Sequence, residues 1–276
     1  MNNTFDPLTN QICLALRREC QLVRGLLSSG ITALGKATFS DPEKYYLAFF
    51  NLSIGIERLS KLVIIVDYKI KNDKFPSEKV IKEYNHDISN LLKTVFKITK
   101  CHDLQLLYFY KKCIISDAII SSLNCFADAQ KGRYANIQAL DKKDSNTDFE
   151  PMRRWHKDVD KLILDYHSHK TPKSKKLNNM ASKIANSIND CTIFIFTNES
   201  GDKINLEESF LRINSDKVLF KYRRYYTLLI IRSVSEIFNK LSQKKYLNEF
   251  YGLDEFFQGF CLDDPVLLKN KKWPVF

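Results

Sequence analysis

The sequence predicts an all-α protein: an up-and-down helical bundle with a mainly helical C-terminal extension. Three observations carry the prediction. Glycine and proline are sparse, at eight and seven in 276 residues, which favours long elements over many short strands. Apolar residues recur at helical spacing in segment after segment. Capping residues stand where those segments begin.

The first helix is expected within residues 8–36, where Ile12, Ala15, Leu16, Leu22, Val23, Leu26 and Leu27 form a stripe that the "SSG" at 28–30 interrupts or ends. A second starts near "SDPEKYY", with Ser40 or Asp41 as cap, Pro42 in the first turn and Glu43 at the positive helix end. It runs to about Asp67, with Leu47, Phe50, Ile54, Leu62 and Ile65 on one face and Ser53, Glu57 and Lys61 as a polar line. "KNDKFPSEK" reads as a loop, and a third helix follows from Asn85 as N-cap, with Asp87 in its first turn and Leu91, Leu92, Val95 and Ile98 inward. A fourth is expected from about Asp103 to Lys131, stopped by Gly132. Four long helices with short connections make the bundle the default architecture.

The apolar-free segment "DKKDSNTD", 141–148, divides the chain into a bundle over 1–142 and a second, mainly helical domain over 143–276. Pro151 opens a helix carrying Trp155, Val159, Leu162, Ile163 and Tyr166. Leu177, Met180, Ala181, Ile184 and Ile188 mark another. "CTIFIFTNESGDKI" reads as a β-hairpin or as an apolar connector, and helix or coil is the expectation adopted. "YRRYYTLLIIRSVSEIFNKL" is the final long helix, and the Phe-rich tail after it must cover something.

Composition bounds the function. The seven cysteines form no CxxC pair and their odd count argues against a complete disulfide framework, so reduced thiols in a cytoplasmic chain are expected. The start carries no basic and apolar leader pattern, and the apolar runs are shorter than a membrane span, so no membrane partner is expected. The formal charge of +11 is spread over both halves and favours contact with phosphate polyanions without locating a site. There is no HExxH, no Cys cluster, no Gly-rich phosphate loop and no GxSxG. Metalloenzyme, kinase and ordinary hydrolase chemistry are therefore disfavoured, and neither metal nor cofactor is expected.

One stretch, 55–92, carries a pattern. Glu57-x-x-x-Lys61, an apolar run, a loop with Pro76, and then His86-Asp87-Ile88 with Leu91 and Leu92 resemble the "E-x-x-x-K … P … H-D-L-x-x-L" signature of HEPN domains, the higher eukaryote and prokaryote nucleotide-binding helical bundles. "KGRYANIQAL", 131–140, resembles the Arg-Tyr that follows the last bundle helix in many of them, so the resemblance covers about residues 5–140. It implies an all-helical bundle that commonly forms a homodimer, within toxin, antiviral-defence or nucleotidyltransferase-linked systems. The implied partners are RNA and a protein encoded by a neighbouring gene. Catalytic members are metal-independent ribonucleases that use Arg-x(4 to 6)-His, in which His moves protons and Arg steadies the phosphoryl transition state. None of the eleven arginines here has that spacing to a histidine.

The leading expectation is thus a HEPN-like component of a bacterial defence or toxin system that binds RNA or a partner nucleic-acid enzyme. One alternative is a ribonuclease with a displaced site, built from His86, Asp87, Arg58 and Arg133 or from Arg154 and His156. Another is a purely structural dimerisation partner. Lys173, Lys175, Lys176, Arg153 and Trp155 are the candidate nucleic-acid contacts, by charge and stacking. Each residue also has a plain structural role open to it. Glu57 and Lys61 form an i, i+4 pair worth a few tenths of a kcal/mol, His86 and Asp87 cap a helix, Arg133 and Tyr134 close the bundle end, and Trp155 fills a core.

Overall fold

The computed structural model describes residues 6–108, 112–128, 132–138, 140, 150–168, 172–188, 196–199, 201–244 and 247–273, without the side chains at 172–175, 177, 178 and 214. The fold is all-α, with one two-stranded hairpin. The division expected at 141–148 lies outside the described residues, but apolar side chains from both sides of it share one core, from Leu16 and Leu27 through Leu62 and Leu91 to Ile231 and Phe257.

Helix α1 (Gln11–Leu34) opens on Asn10, whose side-chain oxygen accepts from the backbone N–H groups of Ile12 and Cys13. It does not break at "SSG". Gly30 lies inside it because α2 (Glu43–Asn72) passes there: a Cβ on Gly30 would stand 2.7 Å from Leu52 Cγ, and one on Gly55 2.8 Å from Leu27 Cδ2. As the α1 position falls from 30 to 27 the α2 position rises from 52 to 55, so the two helices pair antiparallel at close range. Helix α2 has no side-chain cap at Ser40 or Asp41; Pro42 precedes it, and it ends on Asp73 with φ +52°.

After the short α3 (Glu78–Lys82), Asn85 is not the cap expected of it. It takes φ +46°, a conformation Asn tolerates, and turns the chain so that Asp87 caps α4 (Ile88–Cys101) by accepting from Asn90 N–H at 2.9 Å. The fourth expected helix is half as long as its pattern suggested. Asp103 has φ +48°, and the N–H groups of Leu107 and Tyr108 donate to the Glu236 carboxylate instead of to a preceding turn, so α5 spans only Ile114–Ala127. Gly132 is no helix stop but a close approach, since a Cβ there would meet Cys125 O at 2.5 Å.

A single turn, α6 (Ala135–Gln138), precedes α7 (Pro151–Trp155), which widens into a π-helical turn over His156–Asp160 before α8 (Lys161–His167). The wide turn brings residues five apart into register, so Trp155 Nε1–H donates to Asp160 Oδ1 at 3.0 Å. Helix α9 (Pro172–Ile188) lies on α10 with Ala181 and Ala185 buried, and leaves Met180 and Ile184 exposed. In the described part of the ambiguous stretch β1 (Phe196–Thr197) pairs antiparallel with β2 (Lys203–Ile204), the hairpin in place of the expected helix or coil, and residues 191–195 lie outside the described residues. Gly201 supplies φ +81° at its turn.

Helix α10 (Leu206–Ser242) is the axis of the molecule, packed against α1, α2, α4, α5, α8 and α9. Its segment from Leu228 to Leu241 is buried nearly all round: Leu228, Ile231, Ile237, Phe238 and Leu241 are fully buried, and so, at 7% exposure or less, are the polar Arg232, Ser233, Ser235 and Glu236. The Phe-rich tail, with α11 (Glu255–Gln258) and α12 (Asp264–Lys269), covers α1 and α10 through Phe250, Phe257 and Phe260. Among the described residues no helix is long and apolar enough to cross a membrane, and Cys13, Cys20, Cys101, Cys113, Cys125 and Cys261 form no disulfide.

Candidate functional site

Three groups of polar side chains hold most of the candidate catalytic residues. The first joins both ends of the 55–92 stretch. Glu57 on α2 is 7% exposed, and its carboxylate meets Lys61 Nζ at 2.7 Å and His86 Nδ1 at 3.0 Å. His86 itself is open, with 64% of its side chain exposed. A proton on Nδ1 directed to Glu57 leaves Nε2 facing solvent as an acceptor, the form a general base needs. Asp87 is spent on capping α4, and Arg58 turns to α1, where Glu19 accepts from its Nη1 at 2.7 and 2.8 Å.

The second group surrounds the last turn of α5. Arg133 lies over the ring of Phe50, 5.7 Å from its centroid, and Phe50 in turn meets Phe126 edge-on at 4.9 Å. Arg154 donates to Ser121 Oγ at 3.2 Å and to Cys125 Sγ at 3.4 Å, with Asp158 at 3.6 Å. Arg133 has no carboxylate partner among the described residues, and its Nε is buried without an acceptor. Phe50 and Tyr134 are partly open to solvent alongside.

The third group is the most buried and was mostly missed in the sequence. Arg223 of α10 donates through Nε to Asp160 Oδ1 at 2.7 Å and through Nη2 to Asp160 Oδ2 and the Tyr45 hydroxyl at 2.6 Å each, and through Nη1 to Ala37 O at 2.7 Å. His156 Nδ1 stands 3.5 Å from Asp160 and 4.0 Å from Glu199 of the hairpin. Glu199 also accepts from Tyr45 and pairs with Arg212. Burial pushes the Asp160 carboxyl up, but Arg223 and the His156 contact outweigh it and hold it below its ordinary value. Burial, partly opposed by Arg223 and reinforced by Glu199, raises the Asp216 carboxyl to about 6. The available signal was "KYRRYY", two arginines on the flank of an otherwise apolar helix, where burial demands a carboxylate from elsewhere. Trp155 is fully buried between Phe49 and Asp160, so its ring offers no face for stacking a base.

The structure does not bring the site residues into one constellation. His86, Asp87 and Arg58 belong to the α2–α4 side, Arg133 and Arg154 to the end of α5, and His156 to the buried network. Arg153 is partly buried on α7, and Lys176 is exposed on α9; the side chains of Lys173 and Lys175 lie outside the described residues. A further, partly buried chain, Lys244 Nζ to His102 Nδ1 at 2.8 Å and His102 Nε2 to Asp67 at 2.7 Å, ties the end of α10 to α2. Among the described residues no group of three or more His, Cys, Asp or Glu side chains is arranged to hold a metal ion. Comparison with protein-family models, curated proteins and solved structures finds no match to this chain.

Proposed function

We propose that the protein is an RNA-binding, HEPN-like module of a bacterial toxin or antiviral-defence system, with Arg133 and Arg154 as its phosphate contacts. The observation that carries the reading is Arg133: a guanidinium spread on an aromatic ring with no carboxylate partner among the described residues keeps its charge for a phosphate. Arg154 beside the same helix turn donates to neutral Ser121 and Cys125 and has Asp158 at 3.6 Å on its Nε side, and exposed Phe50 and Tyr134 offer rings for bases. The surplus of +11 adds long-range attraction. In a gel-shift titration the full chain retards RNA at low salt and loses it steeply as salt rises, and the Arg133→Ala, Arg154→Ser double variant lowers the salt slope by about two. Absence of any shift at low salt would overturn the reading.

The Glu57–His86 pair supports a second reading, a metal-independent ribonuclease, because it presents an oriented and solvent-open imidazole. Incubation with total RNA in EDTA tests it: cleavage that disappears in His86→Ala supports it, and intact RNA rejects it. The HEPN resemblance also implies a homodimer, which the light-scattering mass of the full chain reports.

A further inference from the structure

A cavity of about 710 Å³ opens between α10, the residues Leu107, Tyr108 and Cys113 that precede α5, and the start of α12. It lies apart from all three groups described above. Its walls are the rings of Tyr108, Tyr225 and Tyr226, and its polar lining is Arg232, Asp263 and Asp264. Among the described lining residues two carboxylates face one guanidinium, a negative balance on a chain whose overall balance is +11. A phosphate or carboxylate ligand is repelled there, and a cation is favoured.

The protein's own Arg232 illustrates what these walls accept. Its guanidinium carbon stands 4.4 Å from the centroid of the Tyr108 ring while Nη1 pairs with Asp264 at 2.7 Å, a cation held at once by an aromatic face and a carboxylate. Asp263 has the same surroundings without the cation: it accepts the Tyr108 hydroxyl at 2.7 Å and has no ion-pair partner among the described residues. The walls are also preformed. The Tyr225 hydroxyl donates to Asp264 at 3.1 Å, Tyr225 and Tyr226 brace each other edge to face at 5.2 Å, and Ser233 and Glu236 fasten the backbone of Tyr108 to α10.

From this geometry we propose that the cavity binds an organic cation, an amine or guanidinium compound with a carbon body, whose charge pairs with Asp263 against the Tyr225 and Tyr226 rings. The size of the cavity suits a small molecule in preference to a bare ion. The inference is independent of RNA binding. It is tested by calorimetric titration of the full chain with agmatine, with spermidine, and with N-butylacetamide as a neutral counterpart.

One saturable site for agmatine or spermidine and none for the neutral compound is the expected result. Asp263→Asn and Tyr226→Leu should each weaken binding at least about tenfold, with the folded state checked by circular dichroism. Arg133→Ala should leave it unchanged, which separates it from the RNA contact. Absence of saturable binding of either cation overturns the proposal, as does equal binding of the neutral compound or indifference to both cavity substitutions.

Discussion

Asp160 and Arg223 are both completely buried, and each is tolerable only because the other is there. Removing the charge from one strands the other, so Asp160→Asn should cost about 3–5 kcal/mol in urea unfolding. Asp216, in the same network, makes a prediction with a sign. Its folded value of about 6 lies above the ordinary 3.8, so the folded state holds its proton more tightly than the unfolded chain does. Its contribution to stability is present at low pH and is lost as pH rises from about 4 through about 6. Asp216→Asn should therefore gain on the wild type across that window and keep a constant lead above it, seen as a narrowing melting-temperature difference on acidification. At this scale the sequence was readable for side chains whose partners are near in the chain. The Glu57–Lys61 pair follows from its spacing, whereas the His86–Glu57 contact needs two helices, and the Arg223–Asp160 pair joins residues 63 apart.

At the scale of elements, the antiparallel pairing of α1 and α2 depends on two glycines that let the helix backbones approach. Gly30→Ala places a methyl group 2.7 Å from Leu52 Cγ and 3.1 Å from the Leu52 backbone nitrogen, so the helices must part. The expected cost is about 1–3 kcal/mol of overpacking, against about 1 kcal/mol of helix propensity gained, and thermal unfolding measures the net loss. Ser-Ser-Gly is a breaker by local chemistry, and tertiary packing overrides it here. Helices α2 and α4 and the second half of α10 were legible because their apolar residues recur at helical spacing over a long stretch, whereas α10 begins at Leu206, sixteen residues before the expected start at Tyr222. The start of the fourth expected helix was not: its apolar residues keep helical spacing, yet the N–H groups of Leu107 and Tyr108 are taken by Glu236, more than a hundred residues away, which no local pattern reports.

For the whole molecule, the decisive fact is that one late helix and the tail behind it complete the core of the early ones. Phe250, Phe257 and Phe260 are buried against helices from both ends of the chain, and each contributes roughly 1.5–3 kcal/mol by burial. A chain cut after Ser242 loses all three, a sum comparable with the whole stability of a domain. It should keep its far-ultraviolet helical signal while losing near-ultraviolet dichroism and binding ANS. The all-α class was visible in composition and periodicity. The arrangement that makes α10 central was not, because periodicity says which face of a helix is apolar and nothing of which helix will cover it.

The central place of α10 also sets a timetable. Ribosomes deliver about 5–20 residues per second, and the buried stretch of α10 from Leu228 to Leu241 is made long after α1 and α2 have emerged. For about ten seconds or more the early helices wait with the faces meant for α10 uncovered. Final consolidation must therefore wait until α10 and the tail behind it have left the ribosome, and a nascent chain halted before α10 should be a client of chaperones instead of a folded intermediate.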